Sequence, residues 1–179
     1  MEANAARSIA DESDISRMIS RMAHELLERN HGSRELVVLG IPTRGVQLAE
    51  RLAAEIGRVD GPVALGSLDI TLYRDDLRSN PIRQASRSQL PDSITGLTVV
   101  LVDDVLYSGR TVAAALDALK DVGRPKAVRL AVLVDRGHRE LPIAADVVGK
   151  VVRTAADERV SVKFKELDGV DAIEIRRIA

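Results

Sequence analysis

The stretch VVLVDDVLYSGRT, residues 99–111, decides the fold class. It opens with an aliphatic run typical of a buried parallel strand, and two carboxylates, Asp103-Asp104, follow at the predicted end of that strand. A turn containing Ser108-Gly109 then leads into a helix predicted from about 111 to 122. Because ligands bind at the carboxyl ends of strands in open parallel sheets, the stretch predicts a ligand site there.

Helical and strand patterns alternate on both sides of this stretch, and no repeat or linker divides residues 1–179. Helices are also predicted at 13–30 and at 45–56, where Gly57 is expected to end the second one. The further predicted strands occupy residues 36–39, 63–73, 127–134, 146–149, 159–164 and 171–176. This order predicts a single α/β domain with a mainly parallel sheet flanked by helices.

Composition excludes several classes of protein. The 179 residues carry 26 Lys and Arg against 27 Asp and Glu, so any nucleic-acid surface has to be a local patch. The absence of Cys excludes disulfides, thiol catalysis and cysteine zinc sites, and three aromatic residues are too few for a base-stacking platform. The acidic N-terminus is unlike a signal peptide, and no apolar run is long enough for a membrane span, so a cytoplasmic protein is expected.

The residues around 103–111 suit a sugar phosphate. Free N–H groups at the start of the predicted helix favour an anion, and Gly109 allows the backbone to approach it closely. The carboxylates of Asp103 and Asp104 suit ribose hydroxyls or a hydrated Mg²⁺. A P-loop would need Gly at 104 and Lys at 110, and no GxGxxG follows a strand. The alternative interpretation is an ordinary acidic strand end before a capped helix.

This motif resembles the phosphoribosyl pyrophosphate (PRPP) loop of type I phosphoribosyltransferases. Reading outward, the chain from about Ile15 to its C-terminus is similar to the PyrR family of pyrimidine operon regulators that also have uracil phosphoribosyltransferase activity. The segments that carry this resemblance are GIPTRG (40–45), DITLYRDD (69–76), LVDDVLYSGRT (101–111), DVGRP (121–125) and LVDRGHRELPI (133–143). The resemblance implies Mg²⁺-dependent formation of UMP and pyrophosphate from uracil and PRPP, and a homodimer or larger oligomer.

The resemblance also implies a set of site residues. Those expected to bind PRPP or UMP are Thr43, Arg44, Gly45, Asp103, Asp104, Val105, Leu106, Tyr107, Ser108, Gly109, Arg110 and Thr111. Arg44, Arg74, Asp103 and Asp104 are expected to act in catalysis. Val134, Arg136 and Gly137 are expected to face the base, and Asp103, Asp104 and Asp135 to approach Mg²⁺. By the same resemblance, residues 40–45 are expected to form the pyrophosphate loop, where related enzymes often have a non-proline cis peptide. Pro42 departs from the family, because some relatives have Lys at this position.

Residues 74–93 contain four Arg, many Ser and no apolar pattern, so they predict a long mobile loop that resembles the family's lid. Tyr107 occupies a position where purine phosphoribosyltransferases of this type usually have Asp, which disfavours a purine enzyme, the alternative activity. A further alternative is an RNA-binding regulator with little enzyme activity.

A polar stripe on the first predicted helix is the candidate RNA surface. The resemblance implies that a UMP- or UTP-responsive regulator binds the leader mRNA of pyrimidine operons there. The residues expected to contact RNA are Arg17, Ser20, Arg21, His24, Arg139 and Lys150. From the residues alone, an ordinary solvated helix face is the favoured interpretation of the stripe. Ala144 departs from the family, whose regulators commonly have Arg at that place.

Overall fold

A computed structural model describes residues 6–75 and 89–178. The strands are β1 (Arg7–Ala10), β2 (Leu36–Gly40), β3 (Ala64–Ser67), β4 (Thr98–Leu106), β5 (Ala127–Asp135), β6 (Val147–Val151), β7 (Glu158–Lys163) and β8 (Ala172–Arg177). The helices are α1 (Glu12–Asn30), α2 (Arg44–Val59), α3 (Arg110–Val122) and the short α4 (Lys165–Asp168), with a 3-10 turn at Thr71–Tyr73. Five parallel strands form the main sheet in the order β3-β2-β4-β5-β6.

Helices cover both faces of the main sheet, as predicted. Val38 and Val100 belong to the core shared with α1 and α2, whereas their neighbours Val37 and Val99 belong to the core shared with α3. Successive side chains of a strand point to opposite faces, so a strand covered on both sides has to be apolar throughout. This is why β2 and the first half of β4 are uninterrupted aliphatic runs.

The first helix, predicted at 13–30, is capped at both ends. Asp11 is the N-cap and forms a capping box with Asp14, while His31 ends α1 in the left-handed conformation. Along α1, the buried residues Ile15, Ile19 and Met22 recur at helical spacing and pack on the core.

A second sheet was not predicted. The strands expected at 159–164 and 171–176 are present as β7 and β8, but they pair antiparallel with each other and with β1 in a separate three-stranded sheet. The chain between them is only α4 and a short turn at Gly169, which has a φ of 74°. A parallel connection needs a dozen or more residues, so this short link allows only antiparallel pairing.

Three predicted boundaries were wrong. Gly57 does not end α2, because the helix continues to Val59. The strand predicted at 63–73 is only Ala64–Ser67, followed by the 3-10 turn. The carboxylates at 103–104 do not terminate β4, because parallel pairing with β5 continues as far as Leu106 opposite Asp135. Most of the predicted lid, residues 76–88, lies outside the described residues.

Candidate active site at the carboxyl edge of the main sheet

The predicted PRPP loop connects β4 to α3 and borders a cavity of about 200 Å³. Gly109 has a φ of 93°, a conformation that favours glycine, and its carbonyl accepts the Ala113 amide in the first turn of α3. The Ser108 carbonyl accepts the amides of Glu140 and Leu141 at 2.9 and 3.1 Å, which ties the loop to the chain after β5. The cavity lining includes the loop residues from Val105 to Thr111, together with Arg74 and Asp103.

The two adjacent carboxylates have different environments. Asp103 is only 8% exposed, and one of its oxygens accepts the Asp104 amide at 2.9 Å. Burial raises the pKa of Asp103 well above its usual value, and the neighbouring charge of Asp104 raises it further. Asp104 is half-buried. The pair therefore combines a buried carboxyl group with one that is more open to solvent.

The predicted pyrophosphate loop lies directly beside β4. The Ile41 amide donates to the Val102 carbonyl at 2.9 Å, and the peptide bond between Pro42 and Thr43 is cis. A Cβ on Gly45 would lie 2.5 Å from the Val102 oxygen, so only glycine allows α2 to begin this close to the strand. Arg44 starts α2, and its Nη2 donates to Asp168 at 2.7 Å.

Asp135 and Arg139, predicted to serve a metal and an RNA respectively, bind each other. The carboxylate of Asp135 accepts Nη2 of Arg139 and also the Gly137 amide. The same guanidinium donates to the carbonyls of Tyr107 and Ile143 at 2.7 and 2.8 Å. Arg139 thus links the PRPP loop to the end of β5, and most of its hydrogen-bonding capacity is already used.

The predicted base-facing residues lie next to the loop. Arg136 is 7% exposed and donates to the Thr154 hydroxyl and the Glu158 carbonyl. Its guanidinium carbon lies 4.2 Å from the centroid of the Tyr107 ring, a cation–π contact. Val134 is fully buried, and Gly137 has a φ of 75°.

Arg110 is paired with carboxylates rather than left open to an anion. Its Nη1 lies 2.5 Å from Asp75 and its Nε lies 2.8 Å from Glu140. The guanidinium therefore bridges the beginning of the predicted lid and the loop after β5. These contacts are largely exposed to solvent, so each contributes little to stability.

The predicted RNA stripe is partly engaged in local contacts. Arg17 bonds to Ser13 and Asp14 on its own helix, and Nδ1 of His24 contacts the Ser20 carbonyl. Arg21 reaches across to the main sheet and donates to the carbonyls of Val148 and Gly149. Lys150, the next residue of β6, is exposed. The structure thus brings Arg21 and Lys150 to neighbouring positions, whereas Arg139 faces the loop 107–111.

The carboxylates fit a Mg²⁺ ion that is bound mainly through other ligands. Within residues 6–75 and 89–178 no three acidic or histidine side chains gather as a metal site. Mg²⁺ usually keeps several waters and takes one or two carboxylates plus phosphate oxygens, so a pair such as Asp103 and Asp104 is a suitable donor set. Asp135 is less suited, because Arg139 already neutralises it.

Sequence reasoning missed Asp168, the partner of Arg44, and Thr154, the partner of Arg136. Neither belongs to a motif, and each is more than a dozen residues from the side chain it binds. No periodicity or spacing signals such contacts, which only the packing of the second sheet and the β6–β7 connection creates.

None of the described helices has the length and apolar character needed to span a membrane.

Comparison with known proteins agrees with this geometry. Residues 6–163 match the family described as "Phosphoribosyl transferase domain". The chain is 57% identical over 175 residues to the bifunctional protein PyrR of Leifsonia xyli subsp. xyli, covering 94% of this chain and 96% of that protein. It is 56% identical over 170 residues to the bifunctional protein PyrR of Streptomyces coelicolor, covering 94% and 88% respectively.

Among solved structures, a hypoxanthine phosphoribosyltransferase from Trypanosoma cruzi superposes with a TM-score of 0.75 at 21% identity, covering 96% of each chain. A hypoxanthine phosphoribosyltransferase from Staphylococcus aureus gives a TM-score of 0.71 at 20% identity, covering 100% of this chain and 96% of the other. These similarities confirm the predicted fold class, and the relatives at above 50% identity confirm the predicted family. The chain belongs to the phosphoribosyltransferases and, within them, to the PyrR family.

Proposed function

We propose that this phosphoribosyltransferase transfers the phosphoribosyl group of PRPP to uracil, giving UMP and pyrophosphate. The observation that carries the proposal is the loop 103–111 at the carboxyl edge of the sheet, where two carboxylates precede backbone amides at the start of α3. Such an arrangement suits a ribose 5′-phosphate, whose hydroxyls face carboxylates while its phosphate faces N–H groups.

The chain contributes mainly position and charge. The amides and hydroxyls from Ser108 to Thr111 hold the 5′-phosphate, and Asp104 orients the ribose and stabilises positive charge that develops near C1′. The guanidinium of Arg44 binds the departing pyrophosphate, with Arg74 assisting from the rim of the cavity.

The uracil is held by the chain after β5 and by Tyr107. The backbone of residues 134–137 faces the base, and the Tyr107 ring, supported by Arg136, borders its subsite. Asp103 and Asp104 would hold Mg²⁺ together with the substrate's own oxygens, and the ion would neutralise the charge of the pyrophosphate.

UMP synthesis by the purified protein tests this proposal. Uracil, PRPP and Mg²⁺ are expected to give UMP and pyrophosphate, whereas hypoxanthine or guanine in place of uracil is expected to give at most a small fraction of that rate. Asp104→Asn should lower kcat by about 100-fold without lowering the Tm. Faster reaction with a purine, or no reaction and no PRPP-dependent thermal shift, contradicts the proposal.

A second activity, regulation of pyrimidine genes through RNA, is supported by the neighbouring positions of Arg21 and Lys150. Arg21 of α1 contacts the backbone of β6 one residue before the exposed Lys150, and cationic side chains at this place would suit the phosphates of a leader mRNA. We infer that UMP or UTP in the active site changes the affinity of this surface for RNA, and RNA would then change the affinity for the nucleotide by the same factor.

A gel shift with the protein's own pyrimidine-operon leader, with and without UMP, tests the regulatory role. Arg17→Ala, Arg21→Ala and His24→Ala should weaken RNA binding while UMP synthesis is retained. Equal binding to an unrelated RNA of the same length contradicts it. We also propose that the protein is cytoplasmic and forms a homodimer or larger oligomer. Sedimentation of the purified protein tests the oligomeric state.

A further inference from the structure

Two arginines on one face of α2 hold the same short segment of the second sheet. Arg44 and Arg51 are seven residues apart, which is two helical turns, so both project from one side of the helix. Arg44 bonds to Asp168, the last residue of α4, and Arg51 bonds to Glu166 and Asp171 on either side of it. The pair thus fastens the turn between β7 and β8 against α2.

The two arginines differ in how completely they are used. Arg51 donates four hydrogen bonds, with its Nε and Nη2 on Glu166 and its Nη1 and Nη2 on Asp171. Arg44 has one such bond, from Nη2 to Asp168, and its Nε is buried with no hydrogen-bond partner among the described residues. The Arg44 side chain is 38% exposed, so the guanidinium hydrogens that are not bound to Asp168 can reach the acceptor oxygens of a ligand.

The position of Asp168 is fixed by its own turn. Its Oδ2 accepts the Phe164 amide at 2.9 Å, while Oδ1 accepts Arg44. Burial works to raise the pKa of Asp168, but the Phe164 amide and the Arg44 guanidinium outweigh it and hold the pKa below its usual value. The carboxylate is therefore ionised, and its own turn fixes it in place to receive Arg44.

We propose that Asp168 is a positioning residue for pyrophosphate: it holds Arg44 by Nη2 so that the exposed part of the guanidinium receives a pyrophosphate oxygen. An arginine side chain loses rotational freedom about several bonds when it binds an anion. Because the fixed carboxylate already restricts Arg44 before the anion arrives, less conformational entropy is lost on binding. The second sheet therefore takes part in the reaction by orienting a residue of the pyrophosphate loop. This inference rests on the proposed role of Arg44 in binding pyrophosphate.

Binding of inorganic pyrophosphate in the presence of Mg²⁺, measured by calorimetry, tests the role of Asp168. Asp168→Ala should weaken pyrophosphate binding by about three- to tenfold, and raise the KM for PRPP more than it lowers kcat. Asp168→Asn keeps an acceptor oxygen for Arg44, so it should lose less affinity, and it decides the question if the alanine variant fails to fold.

Glu166→Gln is the matched control, because it removes one carboxylate from the same turn but contacts Arg51. It should leave pyrophosphate affinity unchanged. Unchanged or tighter pyrophosphate binding in both Asp168 variants overturns the inference, because it would make the carboxylate a structural anchor or a competitor for Arg44. If the unmodified protein binds no pyrophosphate, the proposed function itself fails, which is a distinct outcome.

Discussion

The guanidinium of Arg139 forms a two-oxygen ion pair with Asp135, in which Nη2 lies 2.9 Å from Oδ1 and 2.8 Å from Oδ2. The same side chain also holds the Tyr107 carbonyl, so one arginine fastens the PRPP loop to the end of β5. We therefore expect Arg139 to hold the PRPP loop in the position that nucleotide binding needs. This role does not depend on whether Arg139 also contacts RNA.

Arg139→Ala should lower the free energy of unfolding by about 1.5–3 kcal/mol, the scale of hydrogen bonds to charged groups, and should raise the KM for PRPP. Chemical denaturation and UMP synthesis measure the two effects. Arg129→Ala is the control, because Arg129 is an exposed arginine of β5 paired with Asp146 at 3.4 Å, and it should change stability by about 0.5 kcal/mol or less. Normal UMP synthesis by Arg139→Ala would contradict a positioning role for this side chain.

Two glycines of α2 should respond oppositely to alanine. A Cβ at Gly45 would lie 2.5 Å from the Val102 carbonyl oxygen, so Gly45→Ala should push α2 from β4, destabilise the protein by about 1–3 kcal/mol and abolish most UMP synthesis. At Gly57 the nearest atom is 4.0 Å from the added Cβ, so Gly57→Ala should stabilise the helix by about 0.5–1 kcal/mol. Thermal unfolding compares them, and equal Tm values would refute the close contact at Gly45.

The ring of Tyr107, rather than its hydroxyl, should matter for uracil. Tyr107→Phe keeps the aromatic face over Arg136, so kcat/KM for uracil should change by about twofold or less. Tyr107→Ala removes that face and should raise the KM for uracil by about three- to tenfold. Steady-state kinetics at saturating PRPP make the measurement, and equal losses in both variants would assign the role to the hydroxyl instead.

Glu55 should confer a pH dependence on stability in acid. Hydrogen bonds from Arg58, and then from Ser20 on α1, lower its pKa from 4.5 to about 2. Because the folded protein holds this proton less tightly than the unfolded chain, the stabilisation is complete above about pH 4.5 and is lost as the pH falls towards 2. The pair is near the surface, so its contribution is about 1 kcal/mol or less.

Glu55→Gln should therefore be less stable than the unmodified protein at pH 6, and this difference should shrink as the pH falls from 4.5 to 2. Urea denaturation across that range provides the curves. A constant difference at every pH would mean that the charge of Glu55 contributes nothing.

The sequence by itself determined the α/β class, the position of β4 and α3, and the placement of the loop 103–111 at a carboxyl edge. These follow from local rules, since a strand buried on both faces must be apolar and a glycine is needed where φ is positive. The same local rules misplaced the end of β4, because its last residues are held by pairing with β5 rather than by their own composition.

Only the tertiary structure decided which charges meet. Arg44 bonds to Asp168, which lies 124 positions away in the sequence. Arg139 bonds to Asp135 and to the Tyr107 carbonyl and does not join the surface of α1. An ion pair depends on where two elements pack, and neither periodicity nor motif spacing encodes that distance. The sequence thus determined which residue types reach the site, and packing of the second sheet and of the chain after β5 decided which of them remain available to a ligand.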